Sequence, residues 1–179
     1  LVEVIDVEKV LAEIVPYSTS ISADRLADPL LERARGREVL CVDDSSVALA
    51  QLRETLTQLG LTIHTASDGL KGLNQLKAWA DAGEVLTDKL LMVFTDAEMP
   101  EMDGFATARA IRIAEAGRLP TPIIAVSALT ATGTRERCLA AGMDDFLVKP
   151  LAPEALRGVL TRWAADGWTR PAAHAKLAG

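Results

Sequence analysis

From Arg37 onward, short apolar runs alternate with longer amphipathic ones. "EVLCV", "LTIHTA", "LLMVF", "TPIIAV" and "DDFLV" are brief, bounded by turn formers and mostly rich in β-branched residues, so each predicts a strand. Between and after them, apolar residues recur at helical spacing. "SSVALAQLRETLTQLG" predicts a helix closed by Gly60, and "DGLKGLNQLKAWADAG" one that is capped by Asp68 and ends near Gly83. "GFATARAIRIAEAG", "TATGTRERCLAAG" and "APEALRGVLTRWAA" complete the series. Five strands alternating with five helices predict a doubly wound parallel sheet, α/β in class, over residues 37–165.

The flanks read differently. "LVEVI" predicts a short strand, and behind Asp6 as N-cap the residues Val7, Val10, Leu11 and Ile14 make one apolar stripe of a helix that stops at Pro16. Residues 17–36 mix polar turn formers with scattered leucines and read as a linker. Residues 166–179 show no periodicity and read as a disordered tail. A short amphipathic helix without a packing partner is marginal in water. The 1–16 stripe is therefore expected to fray or to support self-association.

Composition narrows the function classes. A formal net charge of −6 over 179 residues argues against a nucleic-acid-binding surface. No apolar run reaches the roughly 18 residues of a membrane-spanning helix. Leu1 stands where Met would begin a chain, without the basic and apolar regions of a signal peptide, and reads as the start of an excised fragment. Cys41 and Cys138 form no disulfide framework, and Cys41 inside "EVLCV" reads as a buried small hydrophobe, which fits a reducing, cytoplasmic setting.

In a doubly wound sheet, chemistry gathers where the strands end at their carboxyl side. The first predicted strand ends in Asp43-Asp44-Ser45, the third in Asp96, the fourth in Ser127-Ala128 and the fifth in Lys149-Pro150. Three carboxylates brought together repel one another unless cations neutralise them. A hard divalent cation such as Mg²⁺ suits an oxygen-only ligand set, and Lys149 would supply a second, fixed positive charge. That arrangement makes Asp96 a candidate carboxylate nucleophile toward a phosphoryl group, with Ser127 a hydrogen-bond donor to a phosphoryl oxygen.

Taken in order, "VDDS", "FTDAEMPEMDG", "VSA" and "VKP" resemble the receiver domain of two-component response regulators, over residues 37–164. The resemblance implies a flavodoxin-like fold and a phosphorylatable signalling domain rather than an enzyme. It implies that Asp96 accepts phosphate from a histidine kinase and that Asp43, Asp44, Asp96 and the backbone carbonyl of Glu98 hold Mg²⁺. It further implies that Ser127 and Lys149 contact the phosphoryl group and that Phe146 is the aromatic that turns on activation. The segment "LVEVIDVEKVLAEIVP" is similar to the end of a CheW-like coupling domain. A coupling domain followed by a receiver is the layout of CheV-type chemotaxis proteins, which implies a chemotaxis kinase and the chemoreceptor array as partners.

Simpler readings stand beside these. Asp43, Ser45 or Ser46 could merely cap the first helix, Phe146 could be a core aromatic, and Glu101 and Asp103 read as loop and cap residues. His64 and His174 lack partner motifs, Trp79 and Trp163 read as packing residues, and Gly69 and Gly72 complete no dinucleotide fingerprint. The stretch "ADAGEVLTDK" is longer than many receivers have before the third strand. Two other functions fit less well. Dehalogenase-type phosphatases carry the nucleophile on the first strand in a D-x-D pattern, and transcriptional regulators normally place their effector after the receiver.

Overall fold

A computed structural model describes Glu32 and residues 34–85, 89–115, 121–128 and 133–165. The expected coupling-domain remnant at 1–16, most of the linker and the tail lie outside the described residues. Among the described residues ten elements alternate: β1 (Glu38–Val42), α1 (Ser46–Gln58), β2 (Thr62–Ala66), α2 (Gly69–Asp81), β3 (Leu90–Asp96), α3 (Gly104–Ala114), β4 (Ile123–Ser127), α4 (Thr134–Ala140), β5 (Asp145–Val148) and α5 (Pro153–Ala165). All strand pairings are parallel, in the order β2-β1-β3-β4-β5, which is the flavodoxin-like arrangement.

Side-chain alternation along the strands divides the core in two. Leu40 and Val42 of β1 join Leu73, Leu76 and Trp79 of α2, Phe105 and Ile111 of α3 and Cys138 of α4 on one face. Val39 and Cys41 meet Leu52 and Leu56 of α1 and Leu156, Leu160 and Trp163 of α5 on the other. A strand covered on both faces reads as a near-continuous apolar run, and all seven residues of β3 are buried, Thr95 and Asp96 being polar at its carboxyl end. Trp79 and Trp163 are core residues, as expected of packing residues near helix ends.

Local chemistry ends the elements where the pattern places them. Ser45 accepts a hydrogen bond from the Ala48 N–H at 3.3 Å, Asp68 from Lys71 at 2.7 Å and Asp103 from Ala106 at 2.7 Å, each capping a helix. α4 is shorter than its periodicity predicts, opening at Thr134 after Gly133 (φ 92°). The packed domain also reaches back before Arg37: Ala34 is buried and, in the turn ahead of β1, the Gly36 N–H donates to the Gly60 carbonyl at 2.9 Å.

Candidate functional site

β3 lies in the middle of the sheet, so its carboxyl end is flanked by those of β1 and β4. Asp96 is its last residue, and the Ala97 N–H donates to the Val126 carbonyl at 2.9 Å, holding the turn against β4. On the other side the Asp43 N–H donates to the Ala66 carbonyl at 3.1 Å. Parallel pairing thus carries two acids 53 residues apart in sequence to one edge.

Asp43, Asp44 and Asp96 each offer a carboxylate oxygen within 4.8 Å of the others. Asp43 and Asp96 are buried and Asp44 is exposed. The Lys149 ammonium donates to Asp43 Oδ2 and Asp96 Oδ2, both at 2.7 Å. The remaining oxygen of each buried acid is also engaged: Asp43 Oδ1 accepts from the Ser45 N–H at 2.8 Å and Asp96 Oδ1 from the Glu98 N–H at 3.0 Å. These two bonds span two residues, the local turn that aspartate forms readily. Lys149 is held in place by its own N–H, which donates to the Ser127 carbonyl at 2.8 Å. Desolvation of its ammonium pulls the pKa down, but the hydrogen bonds that it donates to Asp43 and Asp96, with the attraction of both acids, outweigh that, and it lies above the ordinary lysine value.

The β3–α3 loop, "AEMPEMD", packs against this edge. Glu101 adopts a left-handed backbone (φ 64°) and the Met102 N–H donates to the Pro100 carbonyl at 2.7 Å, closing a three-residue turn. Gly104 then passes so near Asp96 that a Cβ would stand 2.0 Å from the Asp96 carbonyl oxygen. Only glycine permits that approach. Sequence reasoning finds Asp103 and Gly104 as cap and helix start, but a left-handed glutamate carries no sequence signal.

The expected residues divide into a contacting group and its surroundings. Asp43, Asp44, Asp96 and Lys149 form the cluster, and Glu98 joins through its N–H. Ser127 is buried at the neighbouring end of β4. Phe146 is half-buried on β5 and packs against the core on the α2–α4 face. His64 pairs with Glu38 at 2.7 Å and stands edge-on to Trp79, toward the amino end of the sheet, so it takes no part here.

The donor set tests whether a metal fits. Three carboxylates within reach of one another, two buried and one open to solvent, match a hard divalent ion that keeps part of its water shell. No thiol or imidazole intrudes among the described groups.

The family model for the response regulator receiver domain matches residues 39–161. The chain belongs to this family. As a receiver it is a module of two-component signalling, and receivers work with histidine kinases or phosphotransfer proteins. It is 36% identical over 124 residues to the sensor histidine kinase CheAY of Helicobacter pylori, covering 69% of this chain and 14% of that protein. It is 32% identical over 167 residues to the sensor protein GacS of Pseudomonas syringae, covering 92% of this chain and 17% of that protein. The receiver thus spans less than a fifth of these relatives. The receiver domain of a Pseudomonas aeruginosa sensor histidine kinase, solved with a magnesium ion coordinated in its active-site cleft, superposes with a TM-score of 0.58 at 34% identity, over 73% of this chain and 98% of that one.

Proposed function

We propose that this receiver accepts a phosphoryl group on Asp96 from the phosphohistidine of a histidine kinase or phosphotransfer protein, and that it serves chemotaxis signalling. The observation that carries the reading is Lys149 bridging Asp43 and Asp96 at the carboxyl ends of three strands. In the transfer, an Asp96 oxygen bonds to phosphorus as the phosphorus–nitrogen bond breaks, and that bonding pair leaves with the imidazole. Lys149 stands where negative charge collects on the phosphoryl oxygens. Ser127 then donates its hydroxyl to one of them. Asp43, Asp44, Asp96 and the Glu98 carbonyl would hold Mg²⁺, which when bound supplies further charge neutralisation.

Phosphoryl oxygens add contacts that exist in one state only, so they bias the α4–β5 face, including Phe146, toward a second arrangement. Support for chemotaxis comes from the likeness of "EMPEMDGF" to the receiver loop of CheV-type proteins and from the coupling-domain likeness of residues 1–16, which would carry the protein to the chemoreceptor array in the cytoplasm. A second reading, the receiver of a hybrid sensor kinase, is favoured by the GacS match, which reaches beyond the receiver to 92% of the chain.

Incubation with Mg²⁺ and acetyl phosphate should add one alkali-labile phosphoryl mass to the protein and none to Asp96→Asn. Labelling of that variant at the wild-type level would remove Asp96 from the mechanism. Phosphotransfer competition separates the two settings. Faster acceptance from a chemotaxis kinase's phosphohistidine domain than from a hybrid kinase's supports the first.

A further inference from the structure

Two glycines stand in the opening of α2, although glycine weakens a helix. Gly69 is its first residue and Gly72 lies one turn on, so both fall on one face, and both are buried. At Gly69 a Cβ would stand 2.1 Å from Thr107 Oγ1 and 2.7 Å from the Met102 carbonyl oxygen. At Gly72 it would stand 2.9 Å from one Val42 methyl and 3.4 Å from the other. A side chain at either position would have to push its neighbours aside.

Those neighbours lead to opposite sides of the carboxylate cluster. Val42 immediately precedes Asp43, whereas Met102 belongs to the loop that leaves Asp96 and carries Glu98. The far end of that loop is held. The Gly104 N–H donates to the Ala97 carbonyl at 3.2 Å, and the buried Thr107 donates its hydroxyl to the Asp103 carbonyl at 2.8 Å. A push on Met102 therefore travels back toward Glu98. Among the described residues β2 and α2 send no side chain to the cluster, yet α2 touches both of its sides.

We propose that Gly69 and Gly72 are positioning residues, through which α2 sets the separation between Asp43 and the Glu98 loop. The proposal rests on the phosphoacceptor reading and names what holds that site's ligands apart. A small divalent ion demands near-ideal ligand geometry, so a shift of either side is read directly in its affinity. Gly69 acts on the Glu98 side and Gly72 on the Asp43 side.

Calorimetric Mg²⁺ titration of the folded variants, with amide chemical shifts recorded in chelator, tests this. Supports that orient metal ligands are worth roughly tenfold or more in affinity, and Gly69→Ala should lose that much, while Leu76→Ala in the core of the same helix melts lower yet stays within about twofold. In chelator Gly69→Ala should move the Glu98 amide shift, and Gly72→Ala the Ser45 shift. Adding Val42→Ala, which removes both crowded methyls, should return Gly72→Ala to within about twofold of the Val42→Ala affinity. Should Gly69→Ala fail to fold, the Gly72→Ala and Val42→Ala pair decides. A folded Gly69→Ala with wild-type affinity and Glu98 shift, a Leu76→Ala that loses as much affinity, or a Gly72→Ala that Val42→Ala does not restore overturns the proposal. Amide shifts that move as expected in a protein whose Asp96 takes no phosphoryl group from acetyl phosphate uphold the positioning and overturn the phosphoacceptor reading alone.

Discussion

Lys149 places one positive charge against two buried acids, and its removal should be felt first where no metal is present. Breaking a buried pair by deleting one partner costs about 3–5 kcal/mol, and the partial exposure of this ammonium puts the loss nearer 2–3 kcal/mol. Lys149→Met should therefore melt several degrees lower in chelator, and Mg²⁺ should recover much of the difference. Equal melting of the two proteins in chelator would show that the bridge contributes little. The pH dependence follows from the raised pKa of Lys149. A group raised on folding contributes its full stability below its unfolded value, near 10.4 for lysine, and loses it as the pH climbs through the higher folded value. The gap between wild type and Lys149→Met should thus hold from neutral pH to about 10 and close only above it. The two thiols make a separate test. Burial pushes the Cys41 thiol up to about 12 and also raises Cys138. Neither thiol should react with a disulfide reagent in the native protein, and both should react in denaturant.

At the scale of elements, the β3–α3 turn sets the site's tolerance. Gly104→Ala must push a methyl into the backbone of Asp96 and Ala97. Overpacking of this kind costs about 1–3 kcal/mol or more, and here it also displaces Asp96. The variant should lose both melting temperature and phosphorylation, whereas Asp103→Ala, which removes only a cap, should lose about 1 kcal/mol and stay phosphorylatable. Thermal melts and intact mass on both variants check the contrast. Most elements were readable from the chain because their causes are local: period-two and helical spacing, Asp68 and Asp103 as caps, Gly60 and Gly83 as stops. The start of α4 was not readable. "TATGTRERCLAAG" has helical composition from Thr130, yet Gly133 in a left-handed backbone is what precedes the helix. Nor does any pattern in "MPEMD" mark Glu101 as left-handed, since that backbone is set by the closure of the turn against the sheet.

For the molecule as a whole, a ligand that binds only the folded state stabilises it by mass action. Saturating Mg²⁺, at about a hundred times its dissociation constant, should add roughly 2.7 kcal/mol to wild-type stability. Asp44→Asn should respond far less, as judged by melting curves across a Mg²⁺ titration. An equal gain in both proteins would place the ion elsewhere. Asp44 suits this test because it is exposed and makes no bond to Lys149, so its substitution changes the metal's ligands more than the fold.

The chain by itself determined which acidic, hydroxyl and lysine side chains fall at the carboxyl ends of the strands. Apolar periodicity defines the strands, and Asp43, Asp44, Asp96, Ser127 and Lys149 each follow one. It also determined the sheet type, because strands alternating with helices leave few other ways to bury both. Only the tertiary structure decided that Lys149 touches both Asp43 and Asp96, that Gly104 lies against the Asp96 backbone, and that Gly69 lies against Met102. Those contacts join residues far apart in the chain, and their distances depend on strand order and register. Local spacing encodes neither; the packing of helices on both faces of the sheet supplies them.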